Sequence, residues 1–421
     1  MTPIVSFTLT SPGPDKPRTE ATLFEIAATR PTTTGDGLCV PGFSAVQIKE
    51  TSVRLRSALS LDAPIHARLT FAAPVKAGKP GLPGYSLTPA SGMACALDLP
   101  IACALLEMGK ELSGLAVAGE LGLDGSLRPI RGVLAFTLAA KAAGLRGVVV
   151  PIDNVREALV VTGMEVHGVS RFDDVSASVA RRGWRSAASM QRPHISERAA
   201  LVDFADVRGN AAAVTALSDC VAGHADAVLV GPPSTHKTML ARRVPTIMLP
   251  LTPDQQLEVT KAYSAVGLAT GLITERPFRA PHHTISALAL LGGNGRPGEV
   301  DLAAYGVLLL DEVQEFSMAA MAALVTKLAG MGAARPMVIV TADTEVGPAR
   351  KFALDRALSV LGIKSAPIEV EIVSLAELRS EATGESSASI CQRIWSWQCP
   401  SEVPGCTEDV CRHVAPPEVY P

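Results

Sequence analysis

Aromatic residues are scarce, with Trp, Tyr and Phe together making 4% of the 421 residues, and there is no excess of charge of either sign. The first scarcity leaves any core to aliphatic side chains, since 48% of the chain is hydrophobic. The second, a formal net charge of −3, excludes a global basic field. Contact with nucleic acid would then need a local basic surface or assembly of several copies. No run reaches the roughly 18 uninterrupted apolar residues that a bilayer span requires, and no basic-then-apolar signal pattern opens the chain. The expectation is a soluble, cytoplasmic protein with no membrane partner. Cysteine is used sparingly, at eight positions. Cys95 and Cys103 sit inside apolar runs and read as small buried hydrophobes. Cys391, Cys399, Cys406 and Cys411, with His413, are irregularly spaced, and an irregular or disordered tail is the better reading of them than a zinc site.

A chain of this length exceeds one compact core, so two or three domains are expected. Residues 1–175 contain one α/β pattern, with apolar runs such as Gly147–Pro151 bounded by turn residues. Residues 176–202 turn polar and basic, with Arg181, Arg182, Arg185 and Arg192, and read as a solvated linker. A second α/β pattern covers 203–378. Its aliphatic runs at 227–230, 307–310 and 337–340 have the length and β-branching of buried parallel strands. Residues 379–421 form the cysteine-containing tail.

The run at 227–230 leads directly into Gly231-Pro232-Pro233-Ser234-Thr235-His236-Lys237-Thr238, and a helix start follows at Met239. A loop between strand and helix points backbone N–H groups at phosphate oxygens. Lys237 would neutralise the β and γ phosphates of ATP, and the Thr238 hydroxyl would ligate Mg2+. His236 stands where this motif has a second glycine, a position at which a Cβ is penalised. The alternative is therefore a loop that kept its fold and lost its nucleotide. The second acidic half is Val307-Leu308-Leu309-Leu310-Asp311-Glu312: Asp311 would hold Mg2+ through water, and Glu312 would act as general base toward the attacking water.

These residues resemble the magnesium-chelatase-like AAA+ ATPases of the ComM/YifB type. The resemblance is densest over Arg276-Pro277-Phe278-Arg279-Ala280-Pro281-His282-His283-Thr284-Ile285-Ser286, continuing through Gly292-Gly293, Arg296-Pro297-Gly298-Glu299 and Gly306-Val307-Leu308. Asp203-Phe204-Ala205-Asp206-Val207-Arg208-Gly209-Asn210 is similar to the start of that family's nucleotide domain, with Asn210 where glutamine is usual. Pro41-Gly42-Phe43, Asp98-Leu99-Pro100-Ile101-Ala102, Gly119-Glu120-Leu121 and Arg128-Pro129-Ile130-Arg131-Gly132-Val133-Leu134 resemble a domain sharing its fold with the Lon protease catalytic domain. The resemblance covers roughly residues 40 to 360. It implies a Lon-like α/β domain, of the ribosomal S5 type, followed by a P-loop AAA+ parallel-sheet domain. It also implies ATP and Mg2+ as cofactors, a homo-oligomeric ring, usually a hexamer, and action on branched or single-stranded DNA in recombination or natural transformation.

Several positions depart from the family. Asp343 ends the strand after Asp311-Glu312 where relatives carry an asparagine that positions water. An aspartate there would still accept a hydrogen bond but adds negative charge beside phosphate, which would slow hydrolysis. The segment 324–335 is shorter than the family's pore hairpin, which weighs against DNA translocation. Arg356, in Leu354-Asp355-Arg356, resembles an arginine finger and is equally a surface arginine. Nothing after Ile372 resembles the family's helical lid. A degenerate nucleotide-binding member or scaffold is the competing reading. The Lon likeness raises a serine-lysine peptidase, but the lysine would fall near Phe136, which cannot be a base, and Ser91 reads as a turn residue. A porphyrin-directed chelatase subunit would lack the N-terminal domain. His282 and His283 lack metal-ligand spacing, and the resemblance implies a structural or DNA-proximal role for them; Arg276 and Arg279 beside them are the local candidates for phosphate contact.

Overall fold

A computed structural model of the chain describes residues 2–10, 20–29, 37–72, 94–180, 202–232, 235–293, 296–343, 348–363, 367–369 and 386–398. The chain divides into two compact units, both α/β and both discontinuous in sequence. Met1–Glu197, Thr260–Ile273 and Gly293–Pro297 make the first; Arg198–Val259, Thr274–Gly292 and Gly298–Pro421 make the second.

The first unit is built on strands β1 (Ile4–Thr10), β2 (Glu20–Thr29), β3 (Leu38–Cys39), β4 (Ala67–Ala72) and β5 (Leu115–Val117), a two-strand ribbon of β6 (Glu120–Leu121) with β7 (Leu127–Arg128), and then β8 (Gly147–Pro151) and β9 (Glu165–Val169). The seven-stranded sheet has the order β3-β4-β2-β1-β5-β8-β9. β1 and β2, and β2 and β4, pair antiparallel, while β5, β8 and β9 run parallel. All five residues of β8 are buried, as a strand covered on both faces requires. Helices α1 (Ala45–Ala58), α2 (Asp98–Leu105), α3 (Val133–Ala142), α4 (Val155–Ala158) and α5 (Phe172–Ala180) complete the unit. α1 starts on a reciprocal cap, with Ser44 Oγ accepting the Gln47 N–H and Gln47 Oε1 accepting the Ser44 N–H. Phe136 is fully buried and stacks on Phe7 at 4.4 Å. The position where a peptidase base would fall is therefore packed into the core.

Two buried carboxylates fix loops of this unit. Asp98, fully buried, accepts hydrogen bonds from Arg54 Nε at 2.6 Å, Arg54 Nη2 at 3.2 Å and the Leu121 N–H at 3.3 Å. Burial nonetheless pushes its carboxyl up to about 6. Glu157 accepts the Leu134 N–H at 2.8 Å and the Ser264 hydroxyl. Ser264 also accepts the Gly132 N–H on its carbonyl at 3.0 Å, and Ala265 joins the apolar layer around Phe7 and Phe136. Residues Thr260–Ile273 thus pack into a unit whose seven-stranded sheet comes from the first 197 residues.

The remaining elements are α6 (Ala211–Ala222), β10 (Ala227–Gly231), α7 (Lys237–Arg243), α8 (Pro253–Val266), β11 (Phe278–Arg279), α9 (Ala287–Leu291), β12 (Gly292–Gly293), β13 (Arg296–Pro297), α10 (Glu299–Leu302), β14 (Val307–Leu310), α11 (Met318–Gly330), β15 (Met337–Asp343), α12 (Pro348–Leu361), β16 (Ile368–Glu369) and α13 (Ser387–Gln398). The second unit's sheet is parallel, in the order β11-β14-β15-β10-β16. β11 can approach β14 because Gly306 has no side chain: a Cβ there would lie 2.0 Å from the Pro277 carbonyl oxygen, which accepts the Val307 N–H. A single 3-10 turn, Gly332–Ala334, joins α11 to β15, in keeping with the short 324–335 segment.

β15 runs past the aliphatic run 337–340 to Asp343, where the sequence reading also ends that strand, with Thr341, Ala342 and Asp343 pairing with β10. Two segments differ from the sequence reading. α5 extends past residue 175 to Ala180, with Asp173 and Asp174 favouring its N-terminal turn and Val175 buried. The tail read as irregular contains α13, whose Ile390 and Ile394 are buried in the core shared by α6 and β10. Two isoleucines four residues apart are too short a period to reveal a helix, and their partners lie about 180 residues away in sequence, as the Phe204 to Ser387 bond shows at a separation of 183. The basic residues Arg181, Arg182, Arg185 and Arg192, and Cys399, Cys406, Cys411 and His413, lie outside the described residues. Among the described residues no helix is long and apolar enough to cross a membrane.

Candidate functional site

The register of three parallel strands assembles the site. Asp226, just before β10, accepts two bonds from Arg335 at 3.0 and 2.5 Å and the Val338 N–H at 2.8 Å, which pins the start of β15 to β10. Gly231 then falls opposite Asp343, and Leu310 opposite Val340. The ends of β10, β14 and β15 therefore release the phosphate-type loop, Asp311-Glu312 and Asp343 side by side.

Lys237 opens α7 and is 8% exposed. Its Nζ donates to the carbonyl oxygens of Gly231 at 3.0 Å and Pro232 at 2.8 Å, and to Asp343 Oδ1 at 2.9 Å, with Thr235 Oγ1 at 3.4 Å. Four acceptors surround an ammonium with three hydrogens, and the carboxylate of Asp343, at the end of β15, compensates the lysine charge. Thr235, also buried, donates to the Pro232 carbonyl at 2.8 Å. His236 takes the left-handed conformation, φ 65° and ψ 20°, with its side chain exposed. The backbone has thus kept the geometry that favours glycine although the residue is not glycine. Pro233 and Ser234 lie outside the described residues.

Thr238 Oγ1 lies 3.0 Å from Asp311 Oδ2 and 3.2 Å from Oδ1. This hydroxyl and carboxylate form an all-oxygen donor set, the hard type that Mg2+ takes. Glu312 is exposed and left-handed at φ 52°. One further side chain, absent from the sequence reading, reaches this pair: Thr341 Oγ1 donates to Asp311 Oδ1 at 2.5 Å and accepts the Glu312 N–H at 2.9 Å. Its only signal in the sequence is a hydroxyl residue inside an aliphatic run.

Other candidates are placed elsewhere. Arg356 is exposed on α12, and among the described residues no hydrogen bond or ion pair joins it to the cluster around Lys237. Arg276 donates to the carbonyl oxygens of Leu249 and Tyr305, and burial lowers its pKa to about 10. Arg279 is paired with Glu299 through two bonds of 2.6 and 2.8 Å. Both arginines thus have internal partners in this structure. The rings of His282 and His283 lie 4.1 Å apart, tilted by 34°, and His282 Nδ1 bonds Thr284 Oγ1 at 2.9 Å. No group of three or more His, Cys, Asp or Glu among the described residues is arranged to hold a metal.

Residues 203–333 match the family described as "Magnesium chelatase, subunit ChlI", and residues 85–154 match "Subunit ChlI of Mg-chelatase". An uncharacterized protein of Mycobacterium tuberculosis is 40% identical over 256 residues, covering 58% of this chain and 50% of the relative. The uncharacterized protein YifB of Escherichia coli is 33% identical over 298 residues, 68% of this chain and 56% of YifB. Competence protein ComM of Haemophilus influenzae is 31% identical over 304 residues, 68% of this chain and 57% of ComM. A weaker likeness, 32% over 94 residues, links 21% of the chain to 10% of a human mitochondrial Lon protease homolog. The chain spans about half the length of the curated relatives it matches. It is thus similar to magnesium-chelatase-like proteins of the YifB and ComM type, with a local likeness to Lon.

Proposed function

We propose that the chain binds ATP with Mg2+ at the Lys237 loop and hydrolyses it slowly, as an AAA+ protein. The observation behind this reading is the direct approach of Thr238 to Asp311, 73 residues apart, beside the buried Lys237. Two hard oxygen donors and a cation converge at the open ends of parallel strands, where α/β folds bind ligands. Lys237 would exchange its carbonyl partners for the β and γ phosphates, while Thr238, and Asp311 through water, would hold the metal. Bound Mg2+ supplies charge neutralisation on the phosphate oxygens. The Glu312 carboxylate would take the proton of the attacking water. Asp343 would accept a hydrogen bond from that water, at the cost of a negative charge beside phosphate, hence the slow turnover.

The wider role proposed is ATP-dependent remodelling of branched or single-stranded DNA by a homo-oligomeric ring, the hexamer that the family resemblance implies. Arg356 would serve a neighbouring copy's γ-phosphate there. The name of the Haemophilus relative, a competence protein, supports a place in transformation. A second reading, nucleotide binding without useful turnover, is favoured by the ion pair of Lys237 with Asp343, whose side chains are only 9% and 19% exposed. Nucleotide must displace it.

The test is Mg2+-dependent ATP binding and turnover in the wild type, Lys237→Ala and Asp343→Asn, with and without branched DNA. Binding lost in Lys237→Ala, with turnover that rises on adding DNA, is the expected result. Binding without turnover, together with turnover in Asp343→Asn, would support the second reading. A wild type that binds no nucleotide overturns both.

A further inference from the structure

We infer that Thr341 is a positioning residue of this site, whose hydroxyl holds both acidic residues of the β14 turn and so sets how readily the site takes Mg2+ with nucleotide. The inference rests on the nucleotide reading above and assigns it a residue outside every motif in the sequence.

Thr341 is fully buried in β15, paired with Leu229 of β10. A valine would serve that strand equally in shape, β-branching and core packing. The hydroxyl therefore needs its own account, and its two bonds provide one. The Glu312 N–H can only donate and an ionised Asp311 can only accept, so the Thr341 proton must point at Asp311 Oδ1. The 2.5 Å contact has the length of a charge-assisted O–H···O− bond. Oδ1 is held in this way, while Oδ2 is the oxygen nearer Thr238, at 3.0 Å. The same hydroxyl satisfies the N–H of Glu312, whose left-handed backbone at φ 52° is uphill for a residue with a Cβ. One side chain thus fixes the orientation of the proposed metal-holding carboxylate and the backbone of the proposed base.

Partners that orient a metal ligand change metal affinity or activity by about 10-fold to 100-fold when removed. The experiment titrates a fluorescent ATP analogue, with Mg2+ varied from none to saturation, on the full chain as wild type, Thr341→Val and Thr341→Ser, and records thermal unfolding of each protein alone. Thr341→Val is expected to need about 10-fold or more Mg2+ for half-maximal binding. Thr341→Ser, which retains the hydroxyl, should restore the wild-type midpoint. An unchanged Mg2+ midpoint in folded Thr341→Val overturns the positioning role and leaves the nucleotide reading standing. No Mg2+-dependent binding in the wild type overturns both. If the valine variant does not fold, Thr341→Ala is judged by the same midpoint.

Discussion

His236 carries a Cβ in a backbone conformation, φ 65° and ψ 20°, that L-residues avoid. The left-handed region costs a non-glycine residue about 1–2 kcal/mol, and glycine returns about 0.5–1 of that through its freer unfolded chain. His236→Gly should therefore stabilise the second unit by about 0.5–1 kcal/mol and tighten nucleotide binding, because the imidazole and its Cβ no longer stand at the loop. Urea midpoints and an ATP titration check both, and weaker binding would mean that the imidazole contributes to the site. The strain also separates what the sequence discloses from what it conceals. A glycine missing from a loop motif is visible in one line of residues. That the backbone still adopts the glycine conformation is not, because it is imposed by the strand before it and by Lys237 folding back onto the Gly231 and Pro232 carbonyls.

Among the elements, the parallel strands were legible because β10, β14 and β15 are buried along most of their length, so their sequences are unbroken aliphatic runs. α13 was hidden by the opposite circumstance. Only Ile390 and Ile394 mark its buried face, and its N-terminus is tied by residues distant in sequence: Ser387 Oγ accepts the Phe204 N–H at 3.0 Å, and the Ser387 N–H donates to Asp203 Oδ1 at 2.8 Å. Ile394→Ala should destabilise the second unit by about 2–5 kcal/mol, the range for truncating a buried isoleucine. Chemical denaturation measures it. A loss under about 0.5 kcal/mol, the size of a surface substitution, would show that the helix does not share the core.

At the scale of the whole chain, each unit draws on separated stretches of sequence, and each has its own buried ionisable groups. In the first unit Asp98 is held at about 6 by burial, against the opposing pull of Arg54. A folded pKa above the ordinary carboxylate value means that the folded state favours the proton. The associated stability is present in full below about pH 4 and is lost as pH rises through about 6, amounting to about 3 kcal/mol. Asp98→Asn should remove that dependence, so the stability difference between wild type and variant should change with pH over this window and level off above it. A difference that is flat from about pH 4 to about pH 8 would refute the assignment. By itself the sequence determined the α/β class, the aliphatic strands at 147–151, 227–230, 307–310 and 337–340, and the place of Lys237, Thr238, Asp311 and Glu312 at the ends of two of them, because each is written in a local period or a contiguous motif. Only the tertiary structure decided that Asp343 neutralises Lys237, that Arg276 and Arg279 are occupied, that Thr341 bridges Asp311 and Glu312, and that residues Thr260–Ile273 belong to the first unit. Those facts follow from strand register and long-range packing, which bring together side chains that no spacing along the chain relates.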